Sequence, residues 1–330
     1  MPSGSGVGGP GGALVIEVAP RSPYRLPQDR WPDGVARTRG GVYERFLHVG
    51  GSPILIRAWE LRRDRRVAIA AMPAPPSWIE GERGAPAGAE QLERALAAAR
   101  NALAVDDDLG DFHRRFGRHP LLGPLIRRRP WARARRAARP WEAFAWAVTE
   151  QLIESRRAAV IQRRIVARWG GRLRMPAPAR PLRDVPGPEV VARLAPAELA
   201  ALDLAPKRAL ALVKAAREVA GGRCDLSSPA DDRRLLAISE IGPWTIQCLA
   251  LNGRGDLDSL PAGDLAYLKL VGRLSGMGRR ATTAEVLEFY APFEPYRGIA
   301  GLLTLSGLGG SIESGPPLRY HPPVPEYEAA

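Results

Sequence analysis

Two side chains, twenty positions apart (264 − 244), frame the chemistry this chain could perform. Asp264 is a lone carboxylate that follows Leu260-Pro261-Ala262-Gly263 and opens a helical stretch. A carboxylate so placed can stabilise a developing cation or orient a water molecule. Trp244 offers a flat indole, which attracts a cationic ring by stacking and cation–π interaction.

These two residues depend on the elements around them, which run from Asp231 to Leu270. Ser228, Pro229 and Asp231 supply a cap, a proline at the first helical position and an acid in the first turn. Leu235, Leu236 and Ile238 recur near the helical period. Ser239-Glu240-Ile241-Gly242-Pro243 breaks that helix, and Gly242 permits a turn that other residues resist. Pro243 restarts a helix through Trp244, Thr245, Ile246, Leu249 and Leu251. A helix N-terminus with outward N–H groups is a ready phosphate site, so the amides around Gly242, with Ile241 and Thr245, are candidate phosphate contacts.

This stretch resembles the helix-hairpin-helix plus Gly/Pro-Asp signature of the base-excision DNA glycosylases. Its Ile-Gly-Pro-Trp-Thr hairpin is similar to the alkylpurine branch, bacterial DNA-3-methyladenine glycosylase II in particular. The resemblance implies a role for several residues. Asp264 would be the catalytic carboxylate. Trp244 stands where bifunctional relatives carry a nucleophilic Lys, so no Schiff base and no strand cleavage are expected. Gln151-Leu152 matches the segment whose apolar residue is the wedge that fills the hole left by a flipped base. Tyr296, in Pro295-Tyr296-Arg297, holds the slot of an aromatic that lines the base pocket together with Trp244. The carbonyls of Leu236, Ile238 and Ile241 would hold a monovalent cation, Na+ or K+. Two positions depart from the family pattern: Glu240 and Glu150 stand where the family has Gly.

Composition sets the bounds. A chain of 330 residues, 45% hydrophobic and 25% charged, can build two or three domains with real cores. A formal charge of +13 suggests a polyanionic partner. Only Lys207, Lys214 and Lys269 are lysines, and such an Arg-over-Lys, Ala- and Pro-rich composition can equally reflect genome base bias. Two cysteines, Cys224 and Cys248, exclude a disulfide framework and a four-Cys iron–sulfur cluster within one chain. The four histidines are scattered, so no zinc site and no cofactor beyond the monovalent cation are expected. No apolar run is long enough to span a membrane, and Met1–Gly12 lacks the charge and apolar core of a signal peptide. A cytoplasmic, nucleoid-associated monomer follows as the expectation.

Along the chain, residues 1–12 read as a Gly/Pro/Ser disordered tail. Strands are predicted near Leu14–Val18, Val42–Val49, Pro53–Glu60 and Val67–Met72, then a helix over Ala89–Val105. The fold class is therefore α+β: a small N-terminal antiparallel-sheet domain over 13–105, then an all-helical pair of helix-hairpin-helix type over 106–305, then a Gly/Pro-rich tail over 306–330. Asp106-Asp107-Asp108 marks the boundary as solvated acids or a cap. The Arg cluster with Trp131 in 126–139 reads equally as a phosphate grip or a solvated linker. A long helix from Pro140 to Trp169 should break near Ile153–Ser155. Thr282-x-x-Glu285 is a capping box that starts a further helix. The reading that unites these features is a monofunctional DNA glycosylase that excises alkylated purines such as 3-methyladenine or 7-methylguanine from double-stranded DNA in base excision repair. A non-catalytic DNA-binding protein on the same fold is the alternative. A bifunctional oxidised-base lyase is a third, against which Trp244 in the lysine slot speaks.

Overall fold

The computed structural model describes residues 7–9, 12–28, 31–80 and 84–308. The chain opens with six strands: β1 (Val7–Gly9), β2 (Ala13–Val18), β3 (Ala36–Arg39), β4 (Val42–Val49), β5 (Ser52–Leu61) and β6 (Arg66–Pro73). They form one antiparallel sheet in the order β1-β2-β6-β5-β4-β3. Three two-residue strands, β7 (Ile79–Glu80), β8 (Arg172–Leu173) and β9 (Leu182–Arg183), make a second small sheet.

The sheet is covered on both faces, which is why β4 to β6 carry long runs of buried residues, Glu44 and Arg45 of β4 among them. Ile54, Ile56 and Ala58 point to one side, against Leu92, Ala95, Leu96, Ala99 and Leu103 of α1 (Ala89–Leu103). Leu55 and Phe46 point to the other, against Leu173 and Leu182 of the small sheet and Met175. The alternation follows from the two-residue period of a strand.

The rest is helical: α2 (Gly110–Phe116), α3 (Leu122–Arg128), α4 (Pro140–Glu150), α5 (Ser155–Trp169), α6 (Pro188–Val191), α7 (Pro196–Ala200), α8 (Pro206–Ala220), α9 (Asp232–Leu236), α10 (Pro243–Leu249), α11 (Leu265–Leu274), α12 (Thr283–Tyr290) and α13 (Arg297–Leu308). The expected α+β class, an N-terminal antiparallel sheet followed by helices, is the observed one.

Several expectations need adjustment. Val7–Gly9, inside the supposed tail, pairs with Ala13–Val15 as an edge strand. The rest of 1–12 and residues 309–330 of the expected C-terminal tail lie outside the described residues. The chain divides by packing elsewhere than at 105/106. One compact unit comprises the residues up to Asp108 with Arg135–Gly255, and the other Leu109–Ala134 with the residues from Asp256 on. The first unit holds both sheets, α1 and α4–α10, with a helical core that includes Phe144, Val148, Ile161, Leu212, Leu235 and Leu249. The second holds α2, α3 and α11–α13 around Phe112, Leu122, Leu270, Val271, Tyr290 and Phe293.

Within the first unit a buried ion cluster joins the main sheet to α4. Arg45 of β4 pairs with Glu142 at 2.8 Å, and Arg139 pairs with both Glu142 and Asp184. The Asp184 carboxylate also accepts the backbone N–H of His48 at 2.7 Å and that of Val185 at 2.8 Å. Burial pushes its carboxyl up, but Arg139, the His48 hydrogen bond and Arg45 outweigh burial and hold the pKa down at about 2. This cluster accounts for part of the Arg-rich 126–139 segment: Arg139 is internal to it, and Arg136 is clasped by Asp107 at 2.7 and 2.8 Å. Asp106 pairs with Arg100.

Candidate functional site

Pro140 starts α4, and the helix stops at Glu150 because Gln151-Leu152-Ile153-Glu154 leaves helical geometry before α5 begins at Ser155. Leu152 is the extreme residue of this break. It is 98% exposed and has φ +55°, a left-handed conformation that costs a non-glycine residue energy. Ordinary core packing is excluded for this side chain.

Gln151 does not project with it. Its amide nitrogen donates to the Glu240 carbonyl at 2.8 Å and to Thr245 Oγ1 at 2.9 Å, and its own carbonyl accepts a hydrogen bond from Arg208. The break between α4 and α5 is thus tied to the turn between α9 and α10. Arg254, from the turn that extends α10, bonds Asp232 at 3.0 Å and the Leu226 carbonyl at 2.7 Å, so the two ends of the hairpin are also joined.

In the turn itself Glu240 has φ +73° and an exposed side chain. It occupies the conformation that glycine would adopt at no steric cost. Ile241 is 5% exposed, and its N–H donates to the Ile238 carbonyl at 3.0 Å. Thr245 is 1% exposed, with its N–H on the Gly242 carbonyl and its hydroxyl accepting from Gln151. Neither the Ile241 amide nor Thr245 is therefore presented to a phosphate as the sequence suggested. Gly242 is partly exposed and extended at φ −117°, and an added Cβ would meet nothing within 4 Å.

The carbonyls of Leu236, Ile238 and Ile241 flank this turn. That of Ile238 spends one lone pair on the Ile241 N–H, and an all-carbonyl set suits a hard, weakly charged cation. Among the described residues no group of three or more His, Cys, Asp or Glu side chains is placed to hold a metal ion.

Trp244, in the first turn of α10, is partly exposed, and Ile246 two positions on packs against the helical core. One and two turns further along that helix and its extension stand Cys248 and Asn252. They line a cavity of about 250 Å³ together with Trp31, Asp33, Arg45 and Trp146. Glu150 and Ser155, which bracket the Leu152 break, border the same cavity. The cavity wall therefore includes both ends of the exposed-leucine loop and the helix that carries Trp244.

Asp33 is 9% exposed in this wall. Its oxygens accept the Val35 N–H at 3.2 Å and the Trp146 indole N–H at 2.9 Å. Burial raises its pKa, against the opposing influence of Arg45 and these two bonds. Arg135 lies 5.6 Å over the Trp31 ring. None of Trp31, Asp33 and Trp146 stands out in the sequence, where Pro32-Asp33-Gly34 is an ordinary turn signal. Cys248, however, lies four positions after Trp244, on the same helical face, and that spacing was a usable signal.

Asp264 and Tyr296 belong to the second unit. Asp264 is the N-cap of α11, its Oδ1 accepting the Ala266 N–H at 2.8 Å. This bond fixes the carboxylate at the positive end of a ten-residue helix. The Tyr296 hydroxyl donates to Asp111 at 3.1 Å, and its half-buried ring packs 5.5 Å from Phe112. The Thr282–Glu285 capping box that starts α12 is present as expected.

No protein-family model matches the sequence. A probable bifunctional transcriptional activator/DNA repair enzyme AlkA of Mycobacterium tuberculosis is 28% identical over 239 residues, which is 68% of this chain and 45% of that protein. The chain thus spans about half the length of that relative. A DNA-3-methyladenine glycosylase of Bacillus subtilis is 24% identical over 202 residues, 59% of this chain and 66% of that one. In fold, the chain is similar to a 3-methyladenine DNA-glycosylase from Archaeoglobus fulgidus, with a TM-score of 0.71, 18% identity, and coverage of 91% of this chain and 99% of that one.

Proposed function

We propose, for a chain that belongs to the helix-hairpin-helix superfamily of DNA glycosylases, the removal of N-alkylated purines such as 3-methyladenine and 7-methylguanine from double-stranded DNA. The observation that carries this reading is Leu152, an aliphatic side chain held fully in solvent by a left-handed backbone. Such strain is kept where function uses it. An enzyme that works on a stacked base must extrude it, and a rigidly presented leucine can fill the space the base leaves.

The division of labour follows from chemistry. The Gly242 amide, with basic surface, grips phosphate. Leu152 acts as the wedge, and Gln151 supports it through the hairpin. Trp244 and Tyr296 present aromatic faces to the extruded base. The Asp264 carboxylate stabilises the positive charge that builds on C1′ as the C1′–N bond breaks with its electron pair leaving on the purine. Water then bonds to C1′ and loses a proton. An N-alkylated purine is already cationic and leaves without a strong general acid. Trp244 has no amine, so no Schiff base forms and the abasic strand stays uncut. A monovalent cation on the carbonyls of Leu236, Ile238 and Ile241 would add positive charge beneath the phosphate. The protein acts as a cytoplasmic monomer in this reading.

A second reading, a DNA-binding protein without turnover, is favoured by one observation: the exposed Glu240 carboxylate at the hairpin turn, where a phosphate would approach. Base release from methylated duplex DNA separates the two. Wild type should free 3-methyladenine or 7-methylguanine and leave uncut abasic sites. Asp264→Asn should lower single-turnover release roughly 10²- to 10³-fold, the usual cost of one electrostatic stabiliser. Salt-sensitive binding with no release from any alkylated duplex supports the second reading. Release that persists in Asp264→Asn removes Asp264 from the mechanism.

A further inference from the structure

Gln151 ends α4 as its C-cap, and Leu152 follows it in the left-handed region at φ +55°. An exposed leucine gains no burial that could hold this conformation, so the hold must come from its neighbours. On one side Ile153 packs against the helical core. On the other, the Gln151 amide nitrogen reaches the Glu240 carbonyl and Thr245 Oγ1. The Gln151 carbonyl belongs to the C-terminal end of α4, where carbonyls have no partner within the helix. Arg208 of α8 supplies that partner.

Arg208 is placed against local preference. It stands third in α8, after Pro206 and Lys207, where the helix dipole favours an acid and disfavours a cation. Across the fold the sign reverses, because its guanidinium meets the negative, C-terminal end of α4. The root of the side chain is fixed: Ala209, Leu212, Val213 and Ala216 of α8 are buried in the helical core. Among the described residues this hydrogen bond is the one Arg208 makes, and it forms no ion pair. Burial is the largest influence on its pKa and lowers it; Arg157 acts in the same direction and Glu240 opposes them. Arg157 itself is engaged elsewhere, 2.9 Å from Asp203.

Resting on the proposed glycosylase reading, we infer that Arg208 is the positioning residue of the wedge: from the first turn of α8 it caps the last carbonyl of α4, and so fixes the backbone that holds Leu152 in solvent. Without the guanidinium the Gln151 carbonyl turns to water, and Leu152 gains other backbone conformations. A leucine so loosened must give that freedom up each time it enters a duplex. A leucine held in advance meets the gap without that cost.

The test measures single-turnover release of 7-methylguanine from a matched duplex by wild type, Leu152→Ala, Arg208→Met, the double variant and Arg157→Met, with melting temperature as the check on folding. Arg208→Met should lose about tenfold or more, the scale of one hydrogen bond to a charged group. In the Leu152→Ala background the same substitution should cost less than about twofold, because the side chain it positions is gone. Losses that multiply in the double variant would overturn the inference. So would an equal loss in Arg157→Met, which removes a neighbouring charge but leaves the Gln151 carbonyl capped. Arg208→Gln repeats the series if Arg208→Met does not fold. A second arm needs no turnover: binding to a duplex that carries an abasic analogue, relative to the intact duplex. Wild type should prefer the gap severalfold, and Leu152→Ala and Arg208→Met should both lose that preference. If wild type shows the preference but releases no base, the glycosylase reading fails and the positioning of Leu152 by Arg208 stands. If Arg208→Met keeps the preference, or wild type lacks it, the inference fails whether or not bases are released.

Discussion

Asp184 and Asp33 are both removed from water in the same unit and both feel Arg45, yet their electrostatic states are opposite. Asp184 is enclosed by Arg139, His48 and the Val185 N–H, and its pKa falls to about 2. Asp33 receives two neutral N–H donors and no direct ion pair, and burial drives its pKa up. The first is balanced by cations; the second is held by neutral donors, with Arg45 acting on it only at a distance. The difference teaches that burial alone does not mark a functional acid. What matters is whether the partners already in place balance it.

The largest expected effect is on the cation-balanced side. Asp184→Asn should cost about 3–5 kcal/mol in urea unfolding, because Arg45 and Arg139 are then left to share Glu142 as their buried counter-charge. A loss below about 1 kcal/mol would erase the contrast between the two acids. Acid titration sharpens it further. A depressed carboxyl contributes stability above its unfolded pKa of about 3.9, and that contribution is lost as pH falls through the native value near 2. Wild-type stability should fall through this window, and Asp184→Asn should lack that component of the slope.

Asp33 has the reverse sign. Its native pKa is raised, so above about pH 4 the unfolded chain ionises first and stability declines until pH passes the native value. Asp33→Asn should thus lose this decline with rising pH, measured as melting temperature against pH, while its amide, with one acceptor oxygen in place of two, gives up one of the Val35 and Trp146 hydrogen bonds. The smallest effect belongs to Glu240. Replacing it with Gly removes about 1–2 kcal/mol of left-handed strain and returns about 0.5–1 kcal/mol of unfolded-state entropy. Melting should rise slightly, and DNA binding should tighten severalfold at low salt, with the gain shrinking as salt screens the lost carboxylate.

Much of this arrangement was legible in local sequence. Four strands of the main sheet (β2, β4, β5 and β6), the α4–α5 break, the hairpin and the Asp264-capped helix follow from short-range signals: alternation, proline at a first helical position, a capping carboxylate; the edge strands β1 and β3 are too short and polar or glycine-rich to show one. The cavity was not legible, because its wall joins Asp33 to Trp146, 113 positions apart, through a single hydrogen bond. The Arg-rich segment was ambiguous for the same reason. What settles Arg136 and Arg139 is Asp107 and Asp184, and no periodicity links them. Thr245 and Ile241 were misjudged because the turn's own hydrogen bonds consume the groups that sequence left open.

The order of the two units along the chain has a consequence during synthesis. Leu109–Ala134 emerges long before its packing partners, which begin at Asp256. Phe112, Phe116, Leu122, Leu125 and Ile126 share one core with residues of that later segment. At about 5–20 residues per second, this apolar stretch waits many seconds in the open while the larger unit gathers on either side of it. A pause in translation after Gly255 should therefore lengthen the time for which this stretch lacks part of its core.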